Sequence, residues 1–76
     1  MNDKSHWIKR EQLDRPLNKI FEGVATDMTP REWAIESERL LGRDIPDLDS
    51  FDYVALNEYL DSLGEVLEKA ARETYI

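Results

Sequence analysis

From Phe51 onward apolar side chains recur three and four residues apart, at Tyr53, Leu56, Leu60, Leu63, Leu67 and Ala70. Only an α-helix gathers that spacing into one stripe, because residues at i, i+3, i+4 and i+7 share a face at 3.6 residues per turn. A leucine stripe is unstable in water, so the remaining residues must fold to cover it. The spacing predicts one amphipathic helix of about 24 residues, capped by Asp49 or Ser50. Gly64 falls in its middle, where glycine costs about 1 kcal/mol relative to alanine. A break into two helices at Gly64 is the alternative to the continuous rod, and the rod is preferred.

Upstream, Thr29-Pro30-Arg31-Glu32 carries the chemistry of a helix start. Threonine can accept from the free N–H groups of the first turn, proline suits the first helical position, and Glu32 can reach back to the threonine N–H. A helix beginning at Pro30 would bury Trp33, Ser37, Leu40 and Leu41, and Gly42 is placed to end it in a left-handed conformation. Before it, Asp14 can cap a helix with Pro16 in its first turn. Leu17, Ile20, Phe21 and Val24 then follow at helical spacing, which predicts a helix from about Arg15 to Ala25, weakened at Gly23. Residues 1–13 read equally as a short helix or a flexible arm. The acidic connection from Arg43 to Ser50 holds Ile45 and Leu48, both expected to tuck into the core. The expectation is therefore a single all-α domain over residues 1–76, a small three- or four-helix bundle with a long C-terminal amphipathic helix.

Seventy-six residues set limits on function. A folded chain of this size buries only about 60% of the surface its unfolded form exposes, so a deep catalytic cleft is not expected. Its stability margin as a monomer is thin, and association would add to it. The stripe at Leu56, Leu60, Leu63 and Leu67 suits pairing with a second copy, and the upstream helices could cover it as well. The homodimer and the monomer both stay open. The sequence has no cysteine, which excludes disulfides, thiolate zinc sites and cysteine nucleophiles and makes the cytoplasm the default. The first residues, Met1 to His6, lack the apolar core of a signal peptide, and no apolar run approaches the roughly 18 residues a membrane helix needs.

The net charge of −7 is unevenly placed. Acidic and basic residues balance from Met1 to Arg43, whereas Asp44, Asp47, Asp49, Asp52, Glu58, Asp61, Glu65 and Glu68 follow with no basic residue among them. On a helical wheel Glu58, Asp61, Glu65 and Glu68 form one band away from the leucine stripe. Lys69 and Arg72 then sit near the carboxyl end, where cations complement the helix dipole. A field of that sign repels phosphate backbones and anionic membranes and steers basic partners into contact.

Motifs for chemistry fail on context. Asp61-Ser62-Leu63 resembles the attachment site of acyl carrier proteins, but only 14 residues follow Ser62, and the serine lies within an amphipathic helix rather than at its start. Asp47-Leu48-Asp49 with Glu58 partly matches a calcium loop, yet Phe51 and Asp52 occupy the positions that need a ligand and a glycine. His6 is the only histidine and has no sequence neighbour that would make it a base or metal ligand. Carboxylates on a wet ridge lack the burial that tunes a catalytic acid. Of the seven aromatics, Phe21 and Trp33 are expected in the core. Trp7 and Tyr59 are the more exposed candidates for binding hot spots.

Three classes of function remain. The first is a non-enzymatic protein, without cofactor or metal, that binds and modulates another protein with a basic surface. Its contact would be Asp44, Asp47, Asp49, Asp52, Glu58, Tyr59, Asp61, Glu65 and Glu68. The second is a DNA-mimicking inhibitor of a nucleic-acid-binding enzyme, in which the same carboxylates occupy sites for phosphates. The third is an acidic carrier protein modified at Ser62. Neither direct nucleic-acid binding nor membrane binding fits the charge.

Overall fold

A computed structural model describes residues 6–74 of the chain. Among them lie three α-helices and two single 3-10 turns: α1 (Leu17–Ile20), α2 (Pro30–Leu41) and α3 (Tyr53–Thr74), with the turns at Arg10–Gln12 and Leu48–Ser50. The chain is all-helical, and its longest element is the C-terminal helix, 22 residues without a break at Gly64. Its start falls two residues later than the stripe suggests. The cap is Asp52, whose Oδ1 accepts from the Ala55 N–H at 2.7 Å, rather than Asp49 or Ser50.

The helix signals of α2 are realised atom for atom. Glu32 N–H donates to Thr29 Oγ1 and Thr29 N–H donates to Glu32 Oε1, each at 3.1 Å. At the far end Gly42 adopts φ +70°, and the Arg43 N–H reaches the Glu38 carbonyl at 2.9 Å. That closure needs a left-handed residue, which glycine supplies without a Cβ penalty.

The first helix is a correction. Instead of running from Arg15 to Ala25, α1 is a single turn, and Phe21 is already extended at φ −123°, ψ 137°. The Leu17 and Asn18 N–H groups, which begin the turn, donate to the carbonyls of Met28 and Thr26 at 2.9 and 3.1 Å. The chain must double back within a few residues to deliver those carbonyls, and Gly23 at φ +83° makes the bend. Leu17, Ile20, Phe21 and Val24 all remain half-buried, so the apolar spacing located the segment's inner side but not its backbone conformation. Asp14 does not cap this turn; it binds Arg31.

Residues 6–13 form an ordered arm rather than a loose one, while residues 1–5 lie outside the described residues. Ile8 and Leu13 are 3% and 1% exposed, and they share the core with Ala34, Leu48, Leu56 and Leu63. The arm, α2, the acidic loop and α3 thus share a single apolar cluster, against which Ile20 and Phe21 pack from the α1 segment. Fully burying a leucine contributes on the order of 2 kcal/mol. Ile45 and Leu40 do not join the cluster; they are 50% and 79% exposed. Leu40 lies beside Leu41 at the last turn of α2, where Ala34, Ser37, Glu38 and Leu41, spaced i, i+3, i+4, i+7, take the inward face. Tyr53, placed on the stripe by its spacing, is 43% exposed because the arm, not the core, covers its ring.

Candidate docking surface

The arm is held to α3 by one buried amide. Asn57, 2% exposed, accepts from the Ile8 N–H and donates to the Ile8 carbonyl, both at 2.8 Å. Its Nδ2 also donates to the Tyr53 carbonyl at 2.8 Å. A side-chain amide offers the same donor–acceptor pair as a peptide group, so it satisfies the arm as a strand partner would. Trp7 stacks edge-on against Tyr53 with ring centroids 5.3 Å apart, and its Nε1 donates to Asp61 at 3.3 Å. His6 Nε2 lies 2.9 Å from the other Asp61 oxygen.

These contacts sort the nine acidic and aromatic residues expected at the partner surface. Asp61 is turned towards His6 and Trp7 rather than left free. Asp49 receives Arg31 at 2.9 Å, and its carbonyl receives Arg10 at 2.6 Å. Arg31 also holds Asp14 at 2.8 Å. The guanidinium hydrogen bond holds the Asp49 carboxyl below its ordinary range, and bonding to two carboxylates holds Arg31 charged well above its own. Glu68 pairs with Arg72 one turn on. Asp47 accepts from the Asp49 N–H and Asp52 from the Ala55 N–H, so each caps the element that follows it. Asp44, Glu58 and Glu65 are exposed. Among the described residues Asp44, Asp47, Asp52, Glu58 and Glu65 have no cationic side chain within ion-pair distance.

Tyr59 is the clearest departure from the expected surface. It is half-buried, packs on Phe51 with centroids 5.6 Å apart, and donates its hydroxyl to Glu38 Oε2 at 2.7 Å. Glu38 is a carboxylate 1% exposed in the core. Arg43 covers it, with Nε 3.0 Å from Oε1, although that oxygen accepts no well-aligned hydrogen bond. The two groups are thus an ion pair by distance, with the Arg43 side chain 48% exposed. Spacing on α2 could have flagged Glu38, since it follows Ala34 by one turn on the inner face. Asn57, a poor helix former beside Leu56 on the stripe, could likewise have been flagged.

Burial first, and the hydrogen bond to Glu38 second, push the Tyr59 phenol above its ordinary 10.0. The folded chain therefore keeps this proton longer than the unfolded one. The stability it supplies is intact below pH 10 and declines as pH rises beyond that point. Tyr59→Phe should show a shallower loss of stability above pH 10 in urea melts; parallel curves for the two proteins would mean the phenol does not carry the effect.

Around Leu60 the arm, α1, α2 and α3 leave an apolar cavity of about 200 Å³ beside His6. Ser62 is exposed on α3, well inside the helix. No group of three or more histidines, aspartates or glutamates among the described residues could hold a metal ion, and no helix among them is long and apolar enough to cross a membrane. Fold and surface together define a small all-α chain with an acidic helix face beside an apolar pocket. No family model matches it, and no curated protein or solved structure does either.

Proposed function

We propose that this chain is a non-enzymatic binding protein that docks on another protein with a basic surface, using the solvent face of α3 and the acidic loop before it. The observation that supports this reading most directly is that Glu58 and Glu65 are exposed on one side of a continuous helix and form no ion pair among the described residues. Carboxylates without an internal ion pair break no existing bond when a cation arrives, so they favour fast, salt-sensitive association. Asp44, Asp47 and Asp52 extend the field along the preceding loop. Asp49, Asp61, Glu68 and Tyr59 are not primary anchors, since each already pairs with another side chain of this molecule. The phosphate-mimicking version fits less well. It needs a continuous row of free charges, and the internal partners of Asp49, Asp61 and Glu68 interrupt the row.

The test uses Glu58→Lys with Glu65→Lys. Neither side chain holds the fold, so helix content and melting temperature should stay near those of the parent. Affinity for a partner captured from the source cells and then purified should fall about tenfold or more, as expected when several facing charges are reversed, and the parent's affinity should weaken as salt rises. Equal affinity of parent and variant at low salt would reduce the acidic face to a solvated surface.

A further inference from the structure

The cavity beside His6 is walled by Ile8 of the arm, Leu17 and Phe21 around α1, Trp33 of α2 and Leu60 of α3. Its lining is apolar, and its size exceeds the roughly 150 Å³ that holds a benzene-sized group. One leucine or phenylalanine side chain fits that space. The pocket meets the acidic face of α3 at one point, because His6 is bonded to Asp61 and Asp61 follows Leu60 directly. Glu65 lies one turn further along the same side.

Gly64 lies between these features, one turn after Leu60. It is in the middle of α3, where glycine weakens a helix. A Cβ built there would meet nothing within 4 Å, so no neighbour in this chain requires the glycine. With no side chain at Gly64, the helix surface between Leu60 and Glu65 has space above it.

We infer that the pocket seats one apolar side chain of a basic partner segment, whose backbone crosses α3 at Gly64 and whose lysines or arginines reach Glu58 and Glu65. Charge complementarity selects this occupant: a pocket on a helix whose neighbouring face carries the exposed Glu58 and Glu65 disfavours an acidic segment and favours a basic one. The inference rests on the docking role of α3 and adds the anchor, the partner's chemistry and the line of approach.

The test uses three short labelled peptides and the full chain. The first has a central leucine flanked by lysines and arginines, the second replaces that leucine with serine, and the third replaces the basic flanks with glutamate. The first should bind and shift the amide resonances of Leu17, Phe21, Trp33 and Gly64. The serine peptide should bind about tenfold more weakly, as losing one buried leucine implies, and the glutamate peptide should not bind. Gly64→Ala should raise the melting temperature and weaken the first peptide at least severalfold, which a purely structural glycine would not do. Equal binding of the leucine and serine peptides would overturn the pocket while leaving the acidic face as a docking surface. Failure of both basic peptides would overturn the two readings together. Protection of the same amides through self-association in sedimentation runs, without peptide, would assign the pocket to a second copy and overturn the inference.

Discussion

Leu56→Ala should cost about 3 to 5 kcal/mol, the range for deleting a fully buried leucine whose surroundings cannot collapse. Leu56 is 0% exposed and belongs to the cluster in which arm, α2, loop and α3 meet. A chain of this length has a total stability of only about 4 to 11 kcal/mol at typical values per residue. The variant should therefore melt about 12 °C or more below the parent, and much of it should be unfolded at physiological temperature. Leu40→Ala is the matched control, because Leu40 is 79% exposed and its loss should fall within about 0.5 kcal/mol. Comparable melts for the two variants would mean that α2 or α3 is turned about its axis from the orientation described.

Asn57→Ala should cost about 2 to 4 kcal/mol, because it orphans the buried N–H and C=O of Ile8 at once. The cost comes less from the bonds themselves than from stranding two desolvated backbone groups. The loss should be local before it is global: the Ile8 amide should exchange with solvent far faster, and Trp7 should lose its packing on Tyr53. Asn57→Asp makes the finer test. A carboxylate can still accept from the Ile8 N–H but cannot donate to the Ile8 carbonyl, so it should recover at most part of the loss. Unchanged exchange at Ile8 in Asn57→Ala would show that the apolar contacts of Ile8 and Leu13 hold the arm unaided. Release of the arm would also remove one wall of the apolar pocket, so peptide binding there should weaken in step with exchange.

The helical elements were legible to different degrees, for identifiable reasons. The chain around α2 states both of its ends, through the reciprocal Thr29 and Glu32 bonds and the left-handed Gly42, and all of these act within a few residues. For α3 the period of the leucines sufficed, and the stripe outweighed the cost of Gly64. The same logic failed between Arg15 and Ala25, since four apolar residues at helical spacing also fit one turn followed by an extended bend. The competing bonds to Met28 and Thr26 decided the matter, and nothing in the local residues announces them. At the candidate site the acidic segment was visible as charge, but not which of its members are occupied. Asp49, Asp61 and Tyr59 were assigned to the free surface because their partners, Arg31, His6 and Glu38, come from other segments.

What the sequence by itself determined was the class of fold, the two longer helices, the caps of α2 and the segment that carries the negative charge, because periodicity, caps and charge counts are set by residues close together along the chain. Only the tertiary structure decided that the arm packs against α3 through Asn57, that Glu38 is buried beneath Tyr59, and that Glu58 and Glu65 stay uncovered on the helix that walls a pocket at Leu60. Burial and pairing at those places join residues about 20 to 55 positions apart. Which such groups meet depends on how all the apolar surfaces are covered at once, and no local stretch of chain encodes that.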